Sequence, residues 1–196
     1  MGHFRLLVSF VIVWVLFAGS VGATPPASAA MSSAPAPTPV RTPPAHLPAN
    51  LCTLLPAAQI GRVLGQPFSG PIRKPAPPLY RNTAKGTECG YRSKQPSPAA
   101  GVPGELIFTV HVESSSSAAR DVFKKLRAFQ DKKGGGTTSV TGIGDAAYRM
   151  TQGYVLFVLK GKAHYSIRFV LARLQPFTTQ DDQQQQNLAT WVARQL

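Results

Sequence analysis

Residues 154–171 read YVLFVLKGKAHYSIRFVL, and the fold class follows from them. Two alternating runs, 154–160 and 163–171, flank the pair Gly161-Lys162. A two-residue link with glycine first suits a type II′ turn, so the runs are expected to pair as an antiparallel hairpin. With that turn, Leu159 faces His164, Phe157 faces Ser166 and Val155 faces Arg168. One face of the hairpin carries Tyr154, Leu156, Val158, Tyr165, Ile167, Phe169 and Leu171, a core-forming set. The other mixes apolar residues with His164, Ser166 and Arg168.

Outward from the hairpin, Ala146–Met150 reads as a further strand after the turn Gly142-Ile143-Gly144-Asp145. Upstream, Glu105–Val112 alternates cleanly, with Leu106, Phe108, Val110 and Val112 opposite Ile107, Thr109 and His111. Shorter strands are expected around Phe68–Ile72 and Glu88–Arg92. Pro56–Leu64 reads as a short helix stopped by Gly65. Ser115–Lys132 is a helix with Ala119, Val122, Phe123, Leu126 and Phe129 at helical spacing, ended by Gly134-Gly135-Gly136. A last helix spans Thr179–Leu196, with Thr179 and Asp182 at capping-box spacing and Leu188, Trp191, Val192 and Leu196 as its buried stripe. The predicted class is α+β: an antiparallel sheet of about five to six strands with three helices, layered as an α/β/α sandwich.

The N-terminal quarter is different. Arg5 precedes an apolar stretch, Leu6–Phe17, and Val21-Gly22-Ala23 fits a signal-peptidase site, so residues 1–23 read as an export signal. The 18 residues from Leu6 to Ala23 also reach the short end of a membrane anchor. Residues 24–50 hold eight prolines and seven alanines. Such a linker stays extended, to about 80 Å at most, and serves as a spacer or a stalk. Residues 51–196 suffice for one domain.

Cys52 and Cys89 are the only cysteines, and both lie in that domain. In an exported chain two such cysteines are expected to join as a disulfide. The closed loop of 38 residues is worth about 4 kcal/mol in the chain-entropy model.

Several phrases carry a family likeness: Cys52-Thr53-Leu54-Leu55 before a helix ending Leu64-Gly65, Cys89-Gly90-Tyr91, Gly142-Ile143-Gly144-Asp145-Ala146-Ala147, and the last helix with Leu188 and Trp191. Residues 51–196 thereby resemble the actinobacterial family of secreted proteins and lipoproteins typified by mycobacterial LpqN. The resemblance implies a PsbP-like α/β/α sandwich, a Cys52–Cys89 bond and a binding or scaffolding role. The chain departs from that family in having no N-terminal cysteine to carry lipid.

Catalytic motifs are missing: no His-Glu-x-x-His, Gly-x-Ser-x-Gly, phosphate loop or Cys-x-x-Cys occurs. The Gly-Ile-Gly-Asp turn precedes a strand, so no helix N-terminus faces a phosphate there. A metal at His111 and His164 would need a third ligand that the sequence does not show. A Ser166–His164 pair lacks a carboxylate to orient it. No enzyme activity, cofactor or metal is therefore expected. His164, Ser166 and Arg168, joined by Thr109 and His111, suit either a half-solvated sheet face or the floor of a ligand cleft in which Arg168 holds an anion.

The formal net charge is +13. Lys124, Lys125 and Arg127 sit in a basic helix and are further candidates for holding an anion. Such a field attracts polyanions and anionic lipid surfaces. Export and the lack of interleaved aromatic platforms argue against nucleic acid. The expected partners are an envelope protein, an anionic envelope polymer or lipid head groups, with membrane contact peripheral at most. The expected function is a secreted or cell-envelope, non-enzymatic binding or scaffold domain. A carrier or sensor with a pocket over the hairpin face is the second reading, and an envelope hydrolase the third.

Overall fold

The computed structural model describes residues 47–78, 83–95, 103–133, 135–152, 154–171 and 176–196. The expected export signal, residues 1–23, and all but the last four residues of the expected linker lie outside the described residues. A 3-10 turn, Leu51–Leu54, leads into α1 (Ala57–Leu64). Then come β1 (Phe68–Ala76), β2 (Gly86–Ser93), β3 (Glu105–Val112) and α2 (Ser116–Lys132). The chain continues through β4 (Thr137–Val140), β5 (Ala146–Met150), β6 (Val155–Lys160), β7 (Ala163–Val170) and α3 (Thr179–Ala193).

All seven strands form one open antiparallel sheet in the order β1-β2-β3-β7-β6-β5-β4. The expected five or six strands miss β4, a four-residue edge strand whose Thr-Thr-Ser-Val carries little hydrophobic pattern. The hairpin pairs in the predicted register, with Leu159 opposite His164, Phe157 opposite Ser166 and Val155 opposite Arg168. Gly161 takes φ +56° in its turn, a conformation that favours glycine.

The two sheet faces are covered unequally. Cys89, Tyr91, Leu106, Phe108, Val110, Tyr165, Ile167 and Phe169 pack with Ile60 and Leu64 of α1 and with Leu188, Ala189 and Val192 of α3. The buried tyrosine hydroxyls are satisfied there. Tyr91 donates to Leu55 O at 2.5 Å, and Tyr165 donates to Ala189 O at 2.6 Å. On the opposite face, Ala119 and Phe123 of α2 pack on Tyr148 and Leu159, beside Phe157. Helix α2 thus covers the side formed by β5 and β6.

Disulfide Cys52–Cys89 joins the 3-10 turn to β2, with its Cα atoms 5.7 Å apart. Helix α3 is capped by a box made of Thr178 and Asp181, one residue earlier than the sequence reading placed it. Asp182, the expected box partner, instead pairs with Arg149 of β5. Leu188 and Val192 of its predicted stripe are buried, while Trp191 and Leu196 are partly buried against the core. Phe129 of α2 also departs from its stripe and is 44% exposed.

Candidate functional site

Antiparallel register lays the α2 side of the sheet out in rows. His111 of β3 stands beside His164 of β7, which stands beside Leu159 of β6. The next row is Glu88, Thr109, Ser166 and Phe157. The third is Gly90, Ile107, Arg168 and Val155. His111 and Thr109 therefore do join the mixed face of the hairpin.

Over the second and third rows lies a cleft of about 290 Å³, lined by Glu88, Ile107, Thr109, Gln130, Met150, Val155, Phe157, Ser166 and Arg168. Gln130 comes from α2, so the helix forms one wall and the sheet the floor. A second hollow adjoins it, sharing Ile107 and Arg168 and reaching Val170 and Leu171. Arg168 is exposed and makes no ion pair among the described residues. A guanidinium one row from two hydroxyls, flanked by Ile107, Val155 and Phe157, can hold a small anion that also carries an apolar group.

His164 does not line the cleft. It is 3% exposed, and its Nε2 lies 3.0 Å from Oε1 of Glu113. Glu113 is the carboxylate that sequence reading failed to find near His164. It sits just beyond β3, where a glutamate ordinarily reads as solvated, and 51 positions separate the partners. His111 stacks on His164 with ring centroids 5.0 Å apart and planes 8° apart. Burial holds both imidazoles below their ordinary pKa, although Glu113 acts in the raising direction on each.

The basic helix divides. Lys124 and Lys125 are exposed. Arg127 is engaged by β4, donating to Thr137 Oγ1 at 3.0 Å and Ser139 Oγ at 3.1 Å, with its guanidinium 5.6 Å from the Tyr148 ring centre. These three residues do not converge on the cleft lined by Ser166 and Arg168.

Asp145 of the glycine turn has a structural part. It accepts from Gly161 N at 2.7 Å and from Lys160 Nζ at 3.1 Å, which ties the β6–β7 turn to the turn before β5. The Gly161 amide, with Lys160 beside it, draws its pKa below the ordinary carboxylate range. Among the described residues no group of three or more His, Cys, Asp or Glu is arranged to hold a metal ion. No helix among them is long and apolar enough to cross a membrane.

No protein-family model matches this sequence, and no curated protein matches it.

Proposed function

We propose that residues 51–196 form a non-enzymatic binding domain of the cell envelope or secreted space, which takes an anionic group in the cleft beside Arg168. The observation that carries this reading is the cleft itself. It lies on the part of the sheet that α2 leaves open, and it presents Arg168, Thr109 and Ser166 together. The Cys52–Cys89 disulfide supports export, because such bonds persist in oxidising compartments. The formal charge of +13 supports an acidic partner or anionic envelope surface around the same site. One helix on one sheet face and two on the other supports the PsbP-like reading of the fold. The hydrolase reading gains a carboxylate in Glu113, but the Glu113–His164 pair is sealed away from the cleft lining.

Phenyl phosphate is a suitable probe, since it joins an anion to an apolar ring. Amide shifts are expected at Ile107, Thr109, Ser166 and Arg168, and they should vanish in Arg168→Gln. Shifts scattered over the surface, or unchanged by that substitution, would refute the cleft reading.

A further inference from the structure

One row from the cleft floor lies a buried titratable cluster that the proposed ligand site does not use. Its hydrogen bonds run as a chain from His164 through Glu113 and Ala84 to His111, whose ring stacks back on His164. Glu113 Oε1 accepts from His164 Nε2, and Glu113 Oε2 accepts from Ala84 N at 3.3 Å. Ala84 O lies 3.2 Å from His111 Nδ1, which must donate to it. Both backbone groups of Ala84 are thus held by the cluster. With Nδ1 donating, His111 Nε2 is a bare nitrogen in the neutral ring, and it is buried without a partner.

The fit around these rings is close. A Cβ at Gly86 would lie 2.5 Å from His111 Cε1, so β2 can pass the ring only as glycine. His111 is 2% exposed and Glu113 is 8% exposed. The charged and titratable surroundings are few. On β2 the next charged side chain of this face is Glu88, one row away, and on β7 it is Arg168, two rows away. Lys85 and Lys162 are exposed, and Asp145 is occupied with Lys160. Helix α2 offers Ala119 and Phe123 to the adjoining Leu159, while its Arg120 and Asp121 are exposed. Glu113 is the single carboxylate bonded to the imidazole pair among the described residues.

A proton on His111 Nε2 becomes a buried donor with no acceptor. Protons on both rings place two cations side by side against one carboxylate. A burial cost of this kind is relieved when water enters, and residues 83–86, half-buried except for the exposed Lys85, are the segment beside the rings. We propose that His111, His164 and Glu113 form a proton-operated latch: the neutral rings hold residues 83–86 on the sheet, and their protonation releases that segment and loosens the adjoining end of the cleft. The consequence for the cleft rests on the ligand reading above, whereas the latch itself does not. Burial shifts both rings to titrate on the acid side of the ordinary imidazole value, which places the release there.

The test is amide exchange of Ala84 and Gly86 by NMR between about pH 7.5 and about pH 5, corrected for intrinsic rates. Leu188 of α3 serves as the reference. Protection at Ala84 and Gly86 should drop at least about tenfold relative to Leu188, the factor one pH unit carries for a single proton. The imidazole Cε1–H resonances of His111 and His164 should titrate together with that loss of protection, a readout that needs only the wild-type protein. The double variant His111→Phe, His164→Gln should flatten the response.

Protection that stays constant while the rings titrate would overturn the latch. Segment release with unchanged phenyl phosphate affinity would overturn its coupling to the cleft. Release without phenyl phosphate binding at either pH would overturn the ligand reading and leave the latch standing.

Discussion

Neighbouring residues of β3 report on two differently finished sides of one sheet. Phe108 points to the side covered by α1 and α3, where it is fully buried and packs edge-on against Tyr165 at 5.9 Å. Ile107 points to the other side, where it is half-buried at the floor of the cleft. The first side is closed by apolar area and by tyrosine hydroxyls that each reach a carbonyl. The second is covered by a single helix and exposes Ile72 at 53% near its β1 edge. Stability is concentrated on the first side, and room for a ligand on the second.

Truncation at those neighbouring positions tests the contrast most strongly. Phe108→Ala should cost about 3–5 kcal/mol in urea unfolding, while Ile107→Ala costs less than about 1.5 kcal/mol. Equal losses would show that the open side also carries the fold. Next comes the disulfide, which belongs to the covered side because Cys89 pairs across from Phe108. Unfolding with and without reductant should differ by about 4 kcal/mol.

Gly86→Ala probes a tightly packed corner of the open side. Pushing His111 aside should cost about 1–3 kcal/mol, read as a lower melting temperature. The ring stack should break as well, visible as a shift of the His111 and His164 ring resonances.

The gentlest effect is the dependence of stability on acid. Both imidazoles have folded-state pKa values below 6.5. As pH falls through 6.5 the unfolded chain therefore takes up protons first. Their stabilising contribution is whole above that pH and is lost as pH drops toward the folded values. Urea unfolding should accordingly show stability declining on the acid side of neutrality, with a weaker slope in His111→Phe. A flat profile would mean that the cluster is not sealed.

Much of this was legible because periodicity and turn chemistry agreed. The span Tyr154–Leu171 announced its hairpin through alternation and a two-residue glycine turn, and Glu105–Val112 announced itself by alternation alone. The strand β1 runs on from Ile72 to Ala76 through Pro75, which an edge strand tolerates and which pattern reading takes for a stop. The cap of α3 was ambiguous by construction. Thr178 and Thr179 each have an aspartate three positions on, and tertiary packing selects the pair that buries Asp181.

The cleft floor was readable once the hairpin register was known. Its wall was not, since nothing local to Gln130 or Met150 says that they face Arg168. Glu113 was missed for the same reason, because its partners are an imidazole on a distant strand and the backbone of Ala84.

The strand order has a kinetic consequence. Strands β1 to β3 form one meander and β4 to β7 another, and the two are stitched together only where β3 meets β7. That seam closes across the whole of α2 and three strands, a long loop to bring together before any contact rewards it. Thr109 with Ser166, Ile107 with Arg168, and His111 with His164 are all pairs across that join. Neither half of the chain contains the cleft; it comes into being when the halves dock.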